Sequence, residues 1–302
     1  MTLPIGCIIV TFNPDVRHLQ TQLLELQSIS QEIVVVDNST DVFLKQEIFR
    51  IIAETSCTVI QQSENFGIGA ALNQGLKLLG TRGVQRVMFL DDDSFFPAEQ
   101  IEFLIASFDE IRVDNPRIIG AGPSVKDIKN GVILSYSWQN NILKIAPQND
   151  IALEVAFLVS SGSLYDMTAL LSEIGYLRED YFLDGTDMEY GFRITSKGYK
   201  LVTFSSIEME HSLGDRVSKV GSNKYEFEHF DPGRIYYQTR NHLLMLRDTP
   251  IGMRRKFFRV VQIFHHFNLS RKLLHRDFSK IRMFIMGILD ALLNRRGPLS
   301  RG

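Results

Sequence analysis

The chain has 302 residues, 44% of them hydrophobic, with 33 Lys and Arg against 35 Asp and Glu and a formal net charge of −2. That length suits one large α/β domain with an appendage, or two modest domains. No uncharged run approaches the ~20 apolar residues that cross a bilayer, the first residues lack the basic start and small-residue cleavage site of a secretory signal, and Cys7 and Cys57 sit in apolar runs that suit buried thiols in a reducing cytoplasm, not a disulfide framework.

In chain order, GCIIVTF (6–12) is an apolar strand stopped by Asn13-Pro14, and residues 14–28 carry Val16, Leu19, Leu23 and Leu26 at helical spacing. IVVVD (33–37) predicts a second buried strand, residues 41–54 a helix, CTVIQQ (57–62) a third strand, and 67–79 a helix. RVMFLDDDS (86–94) predicts a fourth strand that ends in acid, with Pro97 in the first turn of the helix that follows. Residues 114–150 read as short β pieces, including GVILSY (131–136), with a loop or hairpin over the site. EVAFLVSSGSLY (154–165) reads as strand, 186–198 as helix, KLVTF (200–204) as the last strand and 212–231 as a mobile polar loop. From Pro232 to about Asn294 the pattern is helical. Alternating strands and helices predict an α/β fold, an open and mostly parallel sheet with helices on both faces. The organisation expected is one domain over 1–231 and a basic helical extension over 232–302.

In such a sheet ligands bind beyond the carboxyl ends of the strands. Those ends carry Thr11 and Asn13, Asp37, Asn65, and Asp91-Asp92-Asp93. Three adjacent carboxylates repel one another, and a helix cap accounts for one of them. A divalent cation, Mg²⁺ or Mn²⁺, removes the cost and bridges to substrate phosphates. Asp37 suits a hydrogen bond to a nucleobase or ribose, or else a turn. Gly67-Ile68-Gly69 resembles the start of a dinucleotide fingerprint, but Leu72 stands where its third glycine belongs and the motif lies in the third βα turn. It reads instead as a turn offering N–H groups or as close helix packing. Thr186-Asp187-Met188-Glu189 reads as a capping box, with Glu189 paired to Arg193 and Asp187 at the first helical position, where the helix dipole favours the ionised carboxylate a general base needs. Asp184 is a second candidate for that role. His211 suits a metal or diphosphate contact, and Arg240 a phosphate.

In this order, IIVTFNPD (8–15), VVVDNST (34–40), NFGIGAALNQG (65–75), FLDDDS (89–94), FLVSSGSLY (157–165) and LDGTDMEYGFRITSKGYK (183–200) resemble the family-2 glycosyltransferases of GT-A fold, over about residues 5–211. Within that family these segments, the following His and YYQTRN (236–241) look most like bacterial rhamnosyltransferases of cell-surface polysaccharide assembly. Related sequences often have Trp where Tyr190 stands and Gln where Asp92 stands. The resemblance implies an inverting transfer of a sugar, L-rhamnose from dTDP-rhamnose, to a glycan or lipid-linked glycan acceptor. It places Thr11, Asn13, Asp37, Asn65 and Asp92 on the donor side, Asp91, Asp93 and His211 on the metal, and Asp187 as base. Two rival readings fit the residues less well. A nucleotidyltransferase would need a basic, Gly-rich first loop, and TFNPD is neither. A non-catalytic nucleotide- or glycan-binding module would have no use for Asp91, Asp93 and Asp187 together.

Charge is uneven. Residues 251–302 hold 12 Lys and Arg and 2 Asp and Glu, a net of +10, against 21 and 33 in the rest. The basic residues alternate with Phe, Ile and Leu, which fits peripheral contact of 251–296 with the inner face of the plasma membrane, or a homo-oligomer interface, and carries no nucleic-acid reading motif.

Overall fold

Apolar runs become strands covered on both faces, and three such runs, with a half-exposed edge strand beside them, build the first half of the sheet. The computed structural model describes residues 5–127, 133, 135–146, 151–211, 216–219, 225–228, 231–273 and 278–299. Strands β1 (Ile5–Thr11), β2 (Glu32–Asp37), β3 (Thr58–Gln61) and β4 (Arg86–Asp91) alternate with helices α1 (Val16–Gln27), α2 (Val42–Ala53) and α3 (Ile68–Thr81), and α4 (Ala98–Asp114) follows. β1 lies parallel between β2 and β4, and β3 extends the sheet beyond β2. Asp15 and Asp41 cap α1 and α2, each accepting two backbone N–H groups of the first turn. Alternate residues of β1 serve opposite layers: Ile9 packs with Leu19, Leu23 and Ile48, whereas Ile8 packs with Leu72, Leu76 and Tyr165.

The second half completes an eight-stranded sheet in the order β3-β2-β1-β4-β9-β5-β10-β8. It contains β5 (Ile118–Asp127), the hairpin β6 (Tyr136–Gln139) and β7 (Ile142–Ile145), β8 (Ala152–Val155), β9 (Ser163–Asp166), α5 (Met167–Ala169), α6 (Thr186–Ser196) and β10 (Lys200–His211). β9 is antiparallel to β4 and β5, and β8 is antiparallel to β10, so a mostly parallel sheet carries two reversed strands. The single strand expected over 154–165 is therefore two. The chain leaves β8, turns at Gly162 with φ +82°, and enters the gap between β4 and β5 as β9. A Cβ at Gly162 would stand 2.8 Å from the Met209 sulfur, so the turn needs glycine.

β10 runs well past the expected KLVTF, with a register shift between Phe204 and Glu208, and ends on His211 itself. Within the span read as a mobile loop, β11 (Arg216–Lys219) and β12 (Tyr225–Glu228) pair antiparallel, and the rest of 212–230 lies outside the described residues. Of GVILSY, Ile133 forms a bridge with Lys126, and residues 131, 132 and 134 are also outside them.

The C-terminal helices are α7 (Pro232–Asp248), α8 (Met253–Leu273) and α9 (Phe278–Leu292). They share a core with the α/β layers, since Leu244, Met245, Ile251 and Ala291 pack with Phe157, Tyr181 and Phe192. α7 and α9 touch closely: a Cβ on Gly287 would lie 2.9 Å from the Tyr236 carbonyl oxygen. No described helix is long and apolar enough to cross a membrane.

Candidate active site

The carboxyl ends of β1, β2 and β4 meet in one hydrogen-bonded shelf. Asp37 is fully buried; its Oδ1 accepts from Thr11 Oγ1 at 2.9 Å and from the Ser39 N–H at 2.9 Å. Its Oδ2 is buried with no hydrogen-bond partner. Such an atom is costly unless something donates to it. Thr11, with no exposed surface, orients Asp37 and is not itself presented to solvent. Asn13 is exposed and left-handed at φ +50°, with its Oδ1 accepting the N–H groups of Thr40 (3.2 Å) and Asp41 (3.4 Å). It staples the β1 turn to the β2 turn. Asn65 Oδ1 accepts the Gly67 N–H at 2.8 Å and shapes the turn into α3.

Asp91, Asp92 and Asp93 do different things. Asp92 Oδ2 accepts the Phe12 N–H at 2.8 Å and ties β4 to the β1 turn. Asp91 and Asp93 turn towards His211 at the end of β10, and one ligand atom from each of the three lies within 4.8 Å of the others. The imidazole is held by Ser94, whose Oγ is 2.8 Å from His211 Nδ1 and accepts from Ser161 Oγ at 2.7 Å; Ser161 Oγ also accepts the Asp91 N–H at 3.1 Å. The same Nδ1 lies 3.6 Å from Asp93 Oδ1, so the ring stands between the serine and the exposed acid. Burial, reinforced by Asp93 and Asp187, pushes the Asp91 carboxyl up to about 7, and burial does the same to Asp92, to about 7, against the Phe12 hydrogen bond. Two carboxylates and an imidazole at this spacing fit a divalent ion that accepts oxygen and nitrogen together, and the charge such an ion brings would relieve the repulsion. The three residues expected on the metal lie close together, although His211 is 118 positions beyond Asp93.

Asp187 approaches the same place from α6. The helix does not start in a capping box. Its N-cap is Gly185, at φ +77°, Thr186 is already the first helical residue, and Thr186 Oγ1 is buried with no partner. A left-handed N-cap turns the Thr186 side chain away from the N–H groups it was expected to cap. Asp187 is therefore second in the helix, with Oδ1 accepting the Met188 N–H at 2.7 Å. The expected Glu189–Arg193 pair is present, at 3.0 and 3.1 Å. Burial pushes the Asp187 carboxyl up to about 6. Asp184 is also pushed to about 6, by burial opposed by Arg234, and its Oδ2 is buried and unpartnered.

The segment carrying these acids is strained and clamped. Phe182, Asp184 and Gly185 all have positive φ, at +65°, +56° and +77°, and non-glycine residues hold that conformation when surroundings over-determine it. On one side α3 supplies the clamp. The Ile68 N–H donates to the Phe182 carbonyl at 2.9 Å, and Cβ atoms added to Gly67 or Gly69 would fall 2.3 Å from the Phe182 oxygen or 2.4 Å from the Arg178 oxygen. The Gly-Ile-Gly turn is thus spent on packing. On the other side Asn241, fully buried in α7, directs Nδ2 at the carbonyls of Tyr181 (2.9 Å), Leu183 (2.6 Å) and Asp184 (2.8 Å). Arg240 does not present itself to a phosphate: it is fully buried and donates to the carbonyls of Tyr181 and Gly297. Sequence reading missed Asn241, whose partners lie 57–60 positions away. It also missed Arg234, in the first turn of α7, whose charge acts on both Asp91 and Asp184.

For the sugar transfer that the family resemblance implies, Asn241→Ala is expected to lower kcat by about 10- to 100-fold, the effect of a small misplacement of the reacting groups, while affinity for the nucleoside diphosphate that the resemblance implies changes less than about two-fold. Steady-state kinetics beside a binding titration checks this. Equal losses in kcat and nucleotide affinity would mean that Asn241 supports only the fold.

The chain is similar to known proteins in family, sequence and fold. The family model described as Glycosyl transferase family 2 matches residues 7–171. A dTDP-rhamnosyl transferase, RfbF of Shigella flexneri, is 26% identical over 294 residues, which are 97% of this chain and 96% of that protein. Among solved structures, S. aureus TarS 1–349 in complex with UDP-GlcNAc superposes with a TM-score of 0.62 at 18% identity, over 97% of this chain and 82% of that chain. GalNAc-T7 with UDP, GalNAc and Mn²⁺ superposes with a TM-score of 0.60 at 15% identity, over 82% of this chain, and this chain spans 48% of its length.

Proposed function

This chain belongs to glycosyl transferase family 2, and on that premise we propose that it moves L-rhamnose from dTDP-rhamnose to a hydroxyl of a growing, lipid-linked bacterial surface glycan. The observation that carries the chemistry is the convergence of Asp91, Asp93 and His211 from β4 and β10 with Asp187 from α6, close enough that Asp187 raises the Asp91 carboxyl. The donor rests on the likeness to the dTDP-rhamnosyl transferase along nearly the whole of both chains. Asp37 receives the nucleoside through its unpartnered Oδ2, on a shelf that Thr11, Asn13, Asn65 and Asp92 keep in shape.

Asp91, Asp93 and His211 would hold Mg²⁺ or Mn²⁺, and imidazole among the ligands favours Mn²⁺. Such an ion, when bound, neutralises charge that develops on the leaving diphosphate. Arg234 adds a fixed positive charge beside the same carboxylates. Asp187, ionised above about pH 6, accepts the proton of the acceptor hydroxyl as its oxygen attacks the anomeric carbon from the face opposite the diphosphate. One displacement gives inversion without a covalent enzyme intermediate. Release of nucleoside diphosphate from a panel of nucleotide sugars, with and without Mn²⁺, tests the reading. Selective, metal-dependent turnover of dTDP-rhamnose is expected, and turnover of another sugar nucleotide with none of dTDP-rhamnose would overturn the donor assignment.

The lipid-linked acceptor makes a membrane contact useful. Met253, Phe257, Val261 and Phe264 are exposed along one stripe of α8, beside Arg254. An apolar stripe flanked by cations suits the interface of an anionic leaflet, at the cytoplasmic face. The protein is expected to pellet with phosphatidylglycerol vesicles at low salt and to be released at high salt. If it stays in the supernatant at low salt and elutes as a dimer, the stripe joins two copies instead.

A further inference from the structure

Arg259, on α8, is a buried cation with no matching anion among the described residues. Only 8% of its surface is exposed. Arg86, similarly buried, pairs with Asp109, and Arg240 is spent on backbone carbonyls. Arg259 has no carboxylate within ion-pair distance among the described residues. Its guanidinium, with five N–H donors, makes two contacts there, Nη1 to Gln262 Oε1 at 3.4 Å and Nη2 to Met188 Sδ at 3.4 Å. The first is long for a hydrogen bond and the second meets a weak acceptor. Burial pulls its pKa down to about 10, the direction expected of a charge whose lost hydration nothing replaces.

The position of this fork is informative. Met188 directly follows Asp187 in α6. Tyr136, at the start of the β6–β7 hairpin, feels both the Arg259 guanidinium and the Asp187 carboxylate, so its hydroxyl is within electrostatic reach of the two. Its ring stacks on Phe157 at 5.4 Å, which fixes it. Arg259, a weakly bonded cation, therefore touches the residue next to the proposed base, with Tyr136 within electrostatic reach of both.

We propose that Arg259 is an oxyanion subsite of the acceptor pocket, receiving a carboxylate or phosphate that the acceptor carries close to the hydroxyl being glycosylated. The planar fork matches either group in a bidentate way, and its weak present contacts are easily exchanged. Tyr136 supplies a neutral hydrogen bond beside it. The subsite rests on the glycosyltransferase reading with Asp187 as base.

The full chain, with dTDP and Mg²⁺ filling the donor side, is titrated with methyl phosphate, methyl glucuronide and neutral methyl glucoside, followed by ligand-observed NMR and by thermal midpoint. At least one anion is expected to bind ten-fold or more tighter than the neutral glycoside, and which one does so distinguishes phosphate from carboxylate. Arg259→Met is expected to erase that preference with dTDP affinity unchanged, and Arg259→Lys, which keeps the charge and loses the fork, to retain part of it. No preference in the wild-type chain overturns the subsite whether or not the variants fold, and so does a preference that survives in Arg259→Met. Failure of dTDP itself to bind would instead strike at the donor assignment.

Discussion

Asp187→Asn is expected to cut turnover by about 10²- to 10⁴-fold, the range over which a positioned general base contributes, while leaving nucleoside diphosphate affinity nearly unchanged. Asparagine keeps the shape and can still accept the Met188 N–H, so the fold and the α6 N-terminus survive. What is lost is a site for the acceptor's proton, needed only in the transition state, and the loss should appear in kcat. The sign of the pH dependence follows from burial, which raises this carboxyl to about 6. Below that value it is protonated and cannot act as base, so kcat of the native enzyme rises with pH through about 6 and levels above it. Asp187→Asn should lose this acid limb together with the rate. Asp184 is raised to the same value, so the pH profile alone does not separate the two acids, and the substitutions do. Normal turnover by Asp187→Asn with a dead Asp184→Asn would transfer the role to Asp184.

Much of this site was legible because its parts are local. A parallel strand covered on both sides must be apolar at every position, so IVVVD and VMFLD announce themselves, and the polar residue that ends each run marks the ligand edge of the sheet. Three consecutive acids at such an edge exceed what a cap or a turn asks for, and that is readable without coordinates. Other features depend on backbone conformation or on distant pairing, and neither leaves a local trace. Thr186-x-x-Glu189 has the composition of a capping box, but Gly185 in the left-handed region moves the helix start and gives both side chains other surroundings. The split of 154–165 depends on β9 finding a gap between β4 and β5, which no pattern within those residues encodes. Asn241 looks like any polar residue on a helix, and its value lies in carbonyls nearly 60 positions upstream.

Asp93→Ala is expected to reduce metal-dependent activity by about 10³-fold or more, and Asp91→Ala severely, with both proteins folded. The size follows from what a bound divalent ion supplies at a leaving diphosphate, several kcal/mol of charge stabilisation, at roughly 1.4 kcal/mol per factor of ten. Neither substitution should harm the fold. Asp93 is mostly exposed, with 57% of its side chain accessible, and sits 3.6 Å from His211 Nδ1. Asp91 is half-buried, and burial first, then the like charges of Asp93 and Asp187, raise its pKa, so removing it removes a poorly solvated charge and relieves repulsion, and thermal stability of the metal-free protein is expected to hold or rise. That opposition, better folding with worse catalysis, is what a cluster kept for a ligand should show, because structural ion pairs lose both together. His211→Ala should weaken Mn²⁺ binding without abolishing it, since two carboxylates remain. Its Ser94 hydrogen bond anchors the end of β10, so a modest loss of stability accompanies it. Mn²⁺ binding followed by electron paramagnetic resonance, alongside activity with and without chelator, decides the matter. Full activity of Asp93→Ala in the presence of chelator would remove metal from the reaction and leave Arg234 as the charge facing the diphosphate.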